Sequence, residues 1–117
     1  MAKEPANELT QQEVHDIFGE LYKQLTDAYW SATTIEDKDR ISGIKETVFD
    51  ILTELNKASI RSNTEKFQEL ISKVNSVNVR LDKLKEDIDK VIHRVEIATR
   101  VAKAIDKVIT LASKYFV

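Results

Sequence analysis

The sequence predicts an all-α fold, and three observations carry that prediction. Among 117 residues Gly occurs twice and Pro once, against average usage of about 7% and 5%. Sheets lean on those residues for their turns, so β-rich and α/β folds are nearly excluded. Apolar residues recur at alternating spacings of three and four, the period of one helix face. Capping signals stand just before the apolar stretches that they would open. The expected architecture is an antiparallel helical hairpin (about 10–33 and 35–60) packed on a long C-terminal heptad helix (about 63–117), in an oligomeric bundle or coiled coil. The alternative is a monomeric four-helix bundle. Residues 1–9 read as a flexible N-terminal arm and 10–117 as a single helical domain.

Thr10-Gln11-Gln12-Glu13 is a capping box, and Val14, Phe18, Leu21, Leu25, Ala28 and Ala32 follow it as one stripe. Thr34-Ile35-Glu36-Asp37 offers a second helix start, with acids where the helix dipole favours them. Its stripe is Ile41, Ile44, Val48, Ile51, Leu55 and Ala58. A connection of about two to four residues makes the two helices antiparallel neighbours.

Ser62-Asn63-Thr64-Glu65 is a further capping box. From Phe67 to Phe116 all fifteen a/d positions are apolar, and no Gly or Pro follows Gly43. Heptads sustained this far argue for a coiled coil. As one helix, residues 64–117 would run roughly 80 Å, about twice the reach of either preceding helix. Its uncovered apolar half predicts self-association, assigned to Leu81, Leu84, Ile88, Val91, Val95, Ile105 and Ile109. The weak points for a break are Asn75-Ser76-Val77-Asn78 and Glu86-Asp87-Ile88-Asp89, but the unbroken heptad phase speaks for one helix. Ile71, Ile92, Ile97, Val101, Val108 and Leu111 widen the apolar face, most of all after residue 90.

Chemistry is scarce. With no Cys there is no disulfide, no thiol nucleophile and no Cys-type metal site. Asp89, His93 and Glu96 share one helix flank, and His15 is the other histidine. A metal needs three or four convergent ligands, so solvated histidines are the expectation and no cofactor is assigned. The serines lack a neighbouring His in sequence, and two isolated glycines build no phosphate loop. The chain is therefore read as a non-enzyme.

Net charge is −2, divided into −6 over residues 1–60 and +4 over 61–117. Packing of the two halves on each other accounts for this simply. Arg94, Arg100, Lys103 and Lys107 are assigned as contacts to an acidic partner or a membrane surface. An acidic chain overall does not favour nucleic acid. Met1-Ala2-Lys3-Glu4-Pro5 lacks the apolar stretch of a secretory signal, and no run reaches the about 20 residues of a span, so a cytoplasmic location is expected.

The informative remainder is aromatic. Trp30 lies opposite the first stripe, Tyr22 and Tyr29 flank it, and Phe49 and Ile60 lie off the second. Trp and Tyr dominate binding hot spots, so these five residues are assigned to a protein partner of unspecified identity. The expected function is a non-catalytic protein–protein interaction module of adaptor, scaffold, chaperone or toxin-neutralising type, which also forms homo-oligomers. A membrane-docking amphipathic helical protein is the alternative.

Overall fold

Helices begin where capping chemistry places them. In the computed structural model, which describes residues 10–56 and 65–116, Thr10 Oγ1 accepts the backbone N–H of Glu13 at 3.1 Å, and Glu13 Oε1 accepts that of Thr10 at 2.9 Å. This opens α1 (Gln11–Ser31). Thr34 Oγ1 accepts the N–H of Asp37 at 3.1 Å and opens α2 (Ile35–Leu55). Extended backbone at Ala32 and Thr34 turns the chain between them. The hairpin is thus as expected, although α2 stops at Leu55 rather than near 60. The capping residues 62–64, the arm over 1–9 and Ile60 lie outside the described residues.

The third region departs from the expected rod. It divides into α3 (Glu65–Glu86), a single turn α4 (Ile88–Val91), α5 (Val95–Lys107), a π-helical segment (Val108–Ala112) and α6 (Ser113–Tyr115). The helix is interrupted at Asp87, inside Glu86-Asp87-Ile88-Asp89, and the chain leaves helix altogether over residues 92–94, a stretch the sequence did not mark, while Asn75-Ser76-Val77-Asn78 stays helical. Ile92 and Arg94 are extended, and neither Asp87 nor Arg94 caps its helix through its side chain. Local capping therefore does not make the turn. Tertiary contacts do: Val91 and Ile92 are both 2% exposed, and Asp87 is held by Arg40 of α2 at 3.1 Å. Burying an Ile or Val side chain is worth about 1.5–3 kcal/mol, more than a few unfavourable backbone choices cost.

Folding back closes a four-helix ring. α1 packs against α2 and α5, and α3 against α2 and α5. Gln11 Nε2 donates to the Leu55 carbonyl at 2.8 Å, Arg40 meets Asp87, and the Phe67 ring lies 5.9 Å from that of Phe116. Successive long helices therefore alternate in direction. The molecule is 51 Å long, well short of the roughly 80 Å of an unbroken third helix.

The core corrects a second expectation. On α1, α2 and α3 the expected stripes are the buried residues, from Val14 to Leu84. After the break the buried face rotates. Ile97, Ala98, Val101, Ala104, Ile105 and Val108 enter the core, whereas Val95 is 77% exposed and Ile109 only half-buried. The heptad phase is not carried through. The wide apolar face after residue 90 supplies two adjoining stripes and conceals the change. The π-helical segment then shifts the register again, so that Ala112 and Phe116 are buried.

Leu81, Leu84, Val91 and Ile105, four of the seven residues assigned to self-association, are thus at most 2% exposed within this one chain. Ile88 and Ile109 are half-buried, and Val95 stands alone on the surface. The exposed apolar half of a rod, the reason for that assignment, does not arise because the chain covers it with its own helices.

Candidate functional site

The most distinctive surface lies along the outer edge of the α1/α2 pair. Tyr22 and Tyr29 each follow a core residue of α1, Leu21 and Ala28, so both rise at the rim of the helix contact. Lys45 holds the matching place after Ile44 on α2. Antiparallel packing then sets Lys38 opposite Tyr29 and Lys45 opposite Tyr22. The Lys38 Nζ stands 4.8 Å from the Tyr29 ring centre and 5.6 Å from that of Trp30, and donates to the Tyr29 carbonyl at 3.0 Å. The Lys45 Nζ stands 5.0 Å from the Tyr22 ring centre and 5.6 Å from that of Tyr29. Each such cation–ring contact is worth about 0.5–1 kcal/mol at an exposed site.

Two large apolar residues stand on this frame. Trp30 packs edge-on to Tyr29 with ring centres 5.2 Å apart, yet is 73% exposed. Phe49 packs against Tyr22 at 6.0 Å and is 55% exposed. Trp30 does not cover Ile35, which is itself 75% exposed. Further along, His15, Phe49, Leu52, Thr53 and Asn56 line a shallow groove. The His15 Nδ1 has no hydrogen-bond partner among the described residues, and Asp16 Oδ1 lies 3.8 Å from it.

The structure therefore joins Trp30, Tyr29, Tyr22 and Phe49 into one row. Sequence reasoning missed Lys38 and Lys45, although their seven-residue spacing matches that of Tyr29 and Tyr22 across a short turn. Gly19, on the outer side of α1, has no atom of another element within 4 Å of where a Cβ would lie among the described residues, so none of their backbone approaches it.

Of the basic residues assigned to an acidic partner or membrane, Arg94 immediately precedes α5 and Arg100, Lys103 and Lys107 lie on it. Arg94 pairs with Glu96 at 2.8 Å. This hydrogen bond, with backbone hydrogen bonding and the Arg94 and Arg100 charges, holds the Glu96 carboxyl below its ordinary range. Arg100, Lys103 and Lys107 are exposed and, with Glu20, Gln24 and Ala104, line a groove between α1 and α5. The apolar face of α5 is turned into the core.

Among the described residues no three His, Cys, Asp or Glu side chains gather as metal ligands, and no helix is long and apolar enough to cross a membrane. Comparison with family models, curated proteins and solved structures finds no match to this chain.

Proposed function

We propose that the chain is a non-catalytic helical interaction module, of adaptor, scaffold, chaperone or toxin-neutralising kind, that docks a protein partner on its α1/α2 face. The observation that supports this most is the exposure of Trp30 and Phe49 on a row of tyrosines already stacked with Lys38 and Lys45. Rings braced in this way lose little freedom on binding, and preorganisation of that kind favours affinity. Trp and Tyr are also the residues that most often anchor protein interfaces. Acidic residues of the first half steer the encounter.

Membrane docking through α5 is the weaker reading. Its helix would have to withdraw Ile97, Val101, Ile105 and Val108 from the core, at about 1.5–3 kcal/mol each. A photoreactive residue placed in turn at Trp30, Phe49 and, as a control, the exposed Ser76 of α3 tests the proposal in cells. Adducts to one protein from the first two positions alone are expected. Equal adducts from all three, or none from Trp30 and Phe49, would overturn it.

A further inference from the structure

The two grooves on either side of α1 differ in charge, the first with Glu46 and Asp50 beside Lys45 and the second with Arg100, Lys103 and Lys107 beside Glu20. On the α1/α2 side, exposed Phe49 lies between Glu46 and Asp50, one helical turn apart on α2. Lys45, the cation beside them, is turned onto the rings of Tyr22 and Tyr29. Neither Glu46 nor Asp50 has a cationic partner within 4 Å among the described residues.

On the α1/α5 side, Arg100, Lys103, Ala104 and Lys107 surround a groove of about 180 Å³. Their spacing, i, i+3, i+4 and i+7, is that of the four-residue hole that receives a side-chain knob between packed helices. Ala104 is 4% exposed and small. Glu20 is the one carboxylate lining this groove among the described residues, and it already accepts the Gln24 amide at 2.5 Å. Gln24 is itself only 7% exposed, and its Oε1 has no partner among the described residues. Lys103 and Lys107 have no carboxylate within 4 Å among the described residues.

We propose that the occupant of this hole is a second copy of the chain: Phe49 of one copy seats on Ala104 of the other, with Glu46 against Lys107 and Asp50 against Lys103. An antiparallel crossing of α2 on α5 brings all three pairs into step, because both charged pairs are spaced by four residues, about 6 Å along a helix. The apolar contact supplies burial and the flanking charges supply attraction. The direction is set by Phe49, because a parallel crossing would keep two opposite-charge pairs, Glu46 with Lys103 and Asp50 with Lys107, but would place the ring against Asp106 instead of Ala104. Knob and hole lie on different faces, so the contact joins unlike surfaces and each copy offers one of each. The proposal rests on the α1/α2 face being a docking surface, and identifies one partner for it.

Sedimentation equilibrium of the full chain tests it. The mass is expected to rise with concentration at low salt and to return to one chain at high salt, where exposed charges are screened. Glu46→Lys/Asp50→Lys and Lys103→Glu/Lys107→Glu, each checked for helix content by circular dichroism, should each remain at the mass of one chain. Mixed in equal amounts they should associate, since the mixture restores both charge pairs. Phe49→Ala should lose association without a change in helix content. A wild-type chain that stays single at low salt, reversed variants that associate as well as wild type, or a mixture that does not associate would each overturn the proposal. Adducts from Trp30 to a different protein, with this chain remaining single, would leave the docking face standing and remove the second copy from it.

Discussion

Arg40 Nη2 donates to Asp87 Oδ2 at 3.1 Å and so ties the second turn of α2 to the residue at which α3 ends. Both side chains are about one-third exposed, which places the pair between a screened surface bridge and a buried one. Exposed pairs contribute roughly 0.2–1 kcal/mol. A double-mutant cycle with Arg40→Ala and Asp87→Ala, followed by urea unfolding, should give a coupling near the top of that range. A coupling of zero would mean that the buried Val91 and Ile92 hold the break alone.

Two valines report which face of α5 is inside. Val101 is 0% exposed and Val95 is 77% exposed. Val101→Ala should destabilise the fold by about 1–3 kcal/mol through lost burial and a residual cavity, and Val95→Ala by no more than about 0.5 kcal/mol. An unbroken heptad would place Val95 in the seam and reverse the order. Thermal or urea unfolding of the two variants decides the matter.

Gly19 sits mid-helix with open space around it. Gly19→Ala should raise stability by about 1 kcal/mol, because alanine restricts the unfolded chain and suits the helix. Gly43→Ala should gain less: its Cβ would lie 2.7 Å from Arg80 Nη2, and moving that side chain disturbs the hydrogen bond from Arg80 Nη1 to Thr47 Oγ1 at 3.2 Å. The difference between the two midpoints in urea measures the cost of displacing Arg80.

Lys45 and Tyr22 should be energetically coupled. Removing the ring in Tyr22→Leu and the charge in Lys45→Met, singly and together, should reveal about 0.5–1 kcal/mol of interaction. Additive effects would show that the lysine rests beside the ring without drawing stability from it.

Glu96 gives a pH signature. The Arg94 hydrogen bond lowers its carboxyl below the ordinary value, so its folded form binds protons less readily than the unfolded chain. The stabilisation is complete above the unfolded carboxylate range and is lost as pH falls through the lowered folded value. Arg94→Ala should move the Glu96 titration, followed by NMR of its side-chain carbons, up towards the ordinary carboxylate range. No movement would assign the shift to the backbone hydrogen bond and Arg100 instead.

Much of the candidate site was open to sequence reasoning. Once the turn at Ala32–Thr34 is known, residue numbers on facing antiparallel turns add to a constant total. Tyr29 with Lys38, Tyr22 with Lys45 and His15 with Leu52 all obey it. Aromatic residues off the core stripe marked Trp30 and Phe49, whereas Lys38 and Lys45 stand out only once the turn is known. The hole around Ala104 was not legible, because it exists only where α5 lies beside Glu20 and Gln24 of α1.

The sequence alone determined the helices' class, the start of the first two and the buried stripes of α1, α2 and α3. Those features depend on hydrogen bonds and apolar spacings within a few residues of each other. Only the tertiary structure decided that the third region folds back between Asp87 and Arg94 and rotates its buried face to Val101 and Val108. Residues after 90 are apolar on two adjoining stripes, so local spacing accepts either. The choice falls to the burial gained when α5 closes the ring against α1 and α3, a contact between residues far apart in the chain.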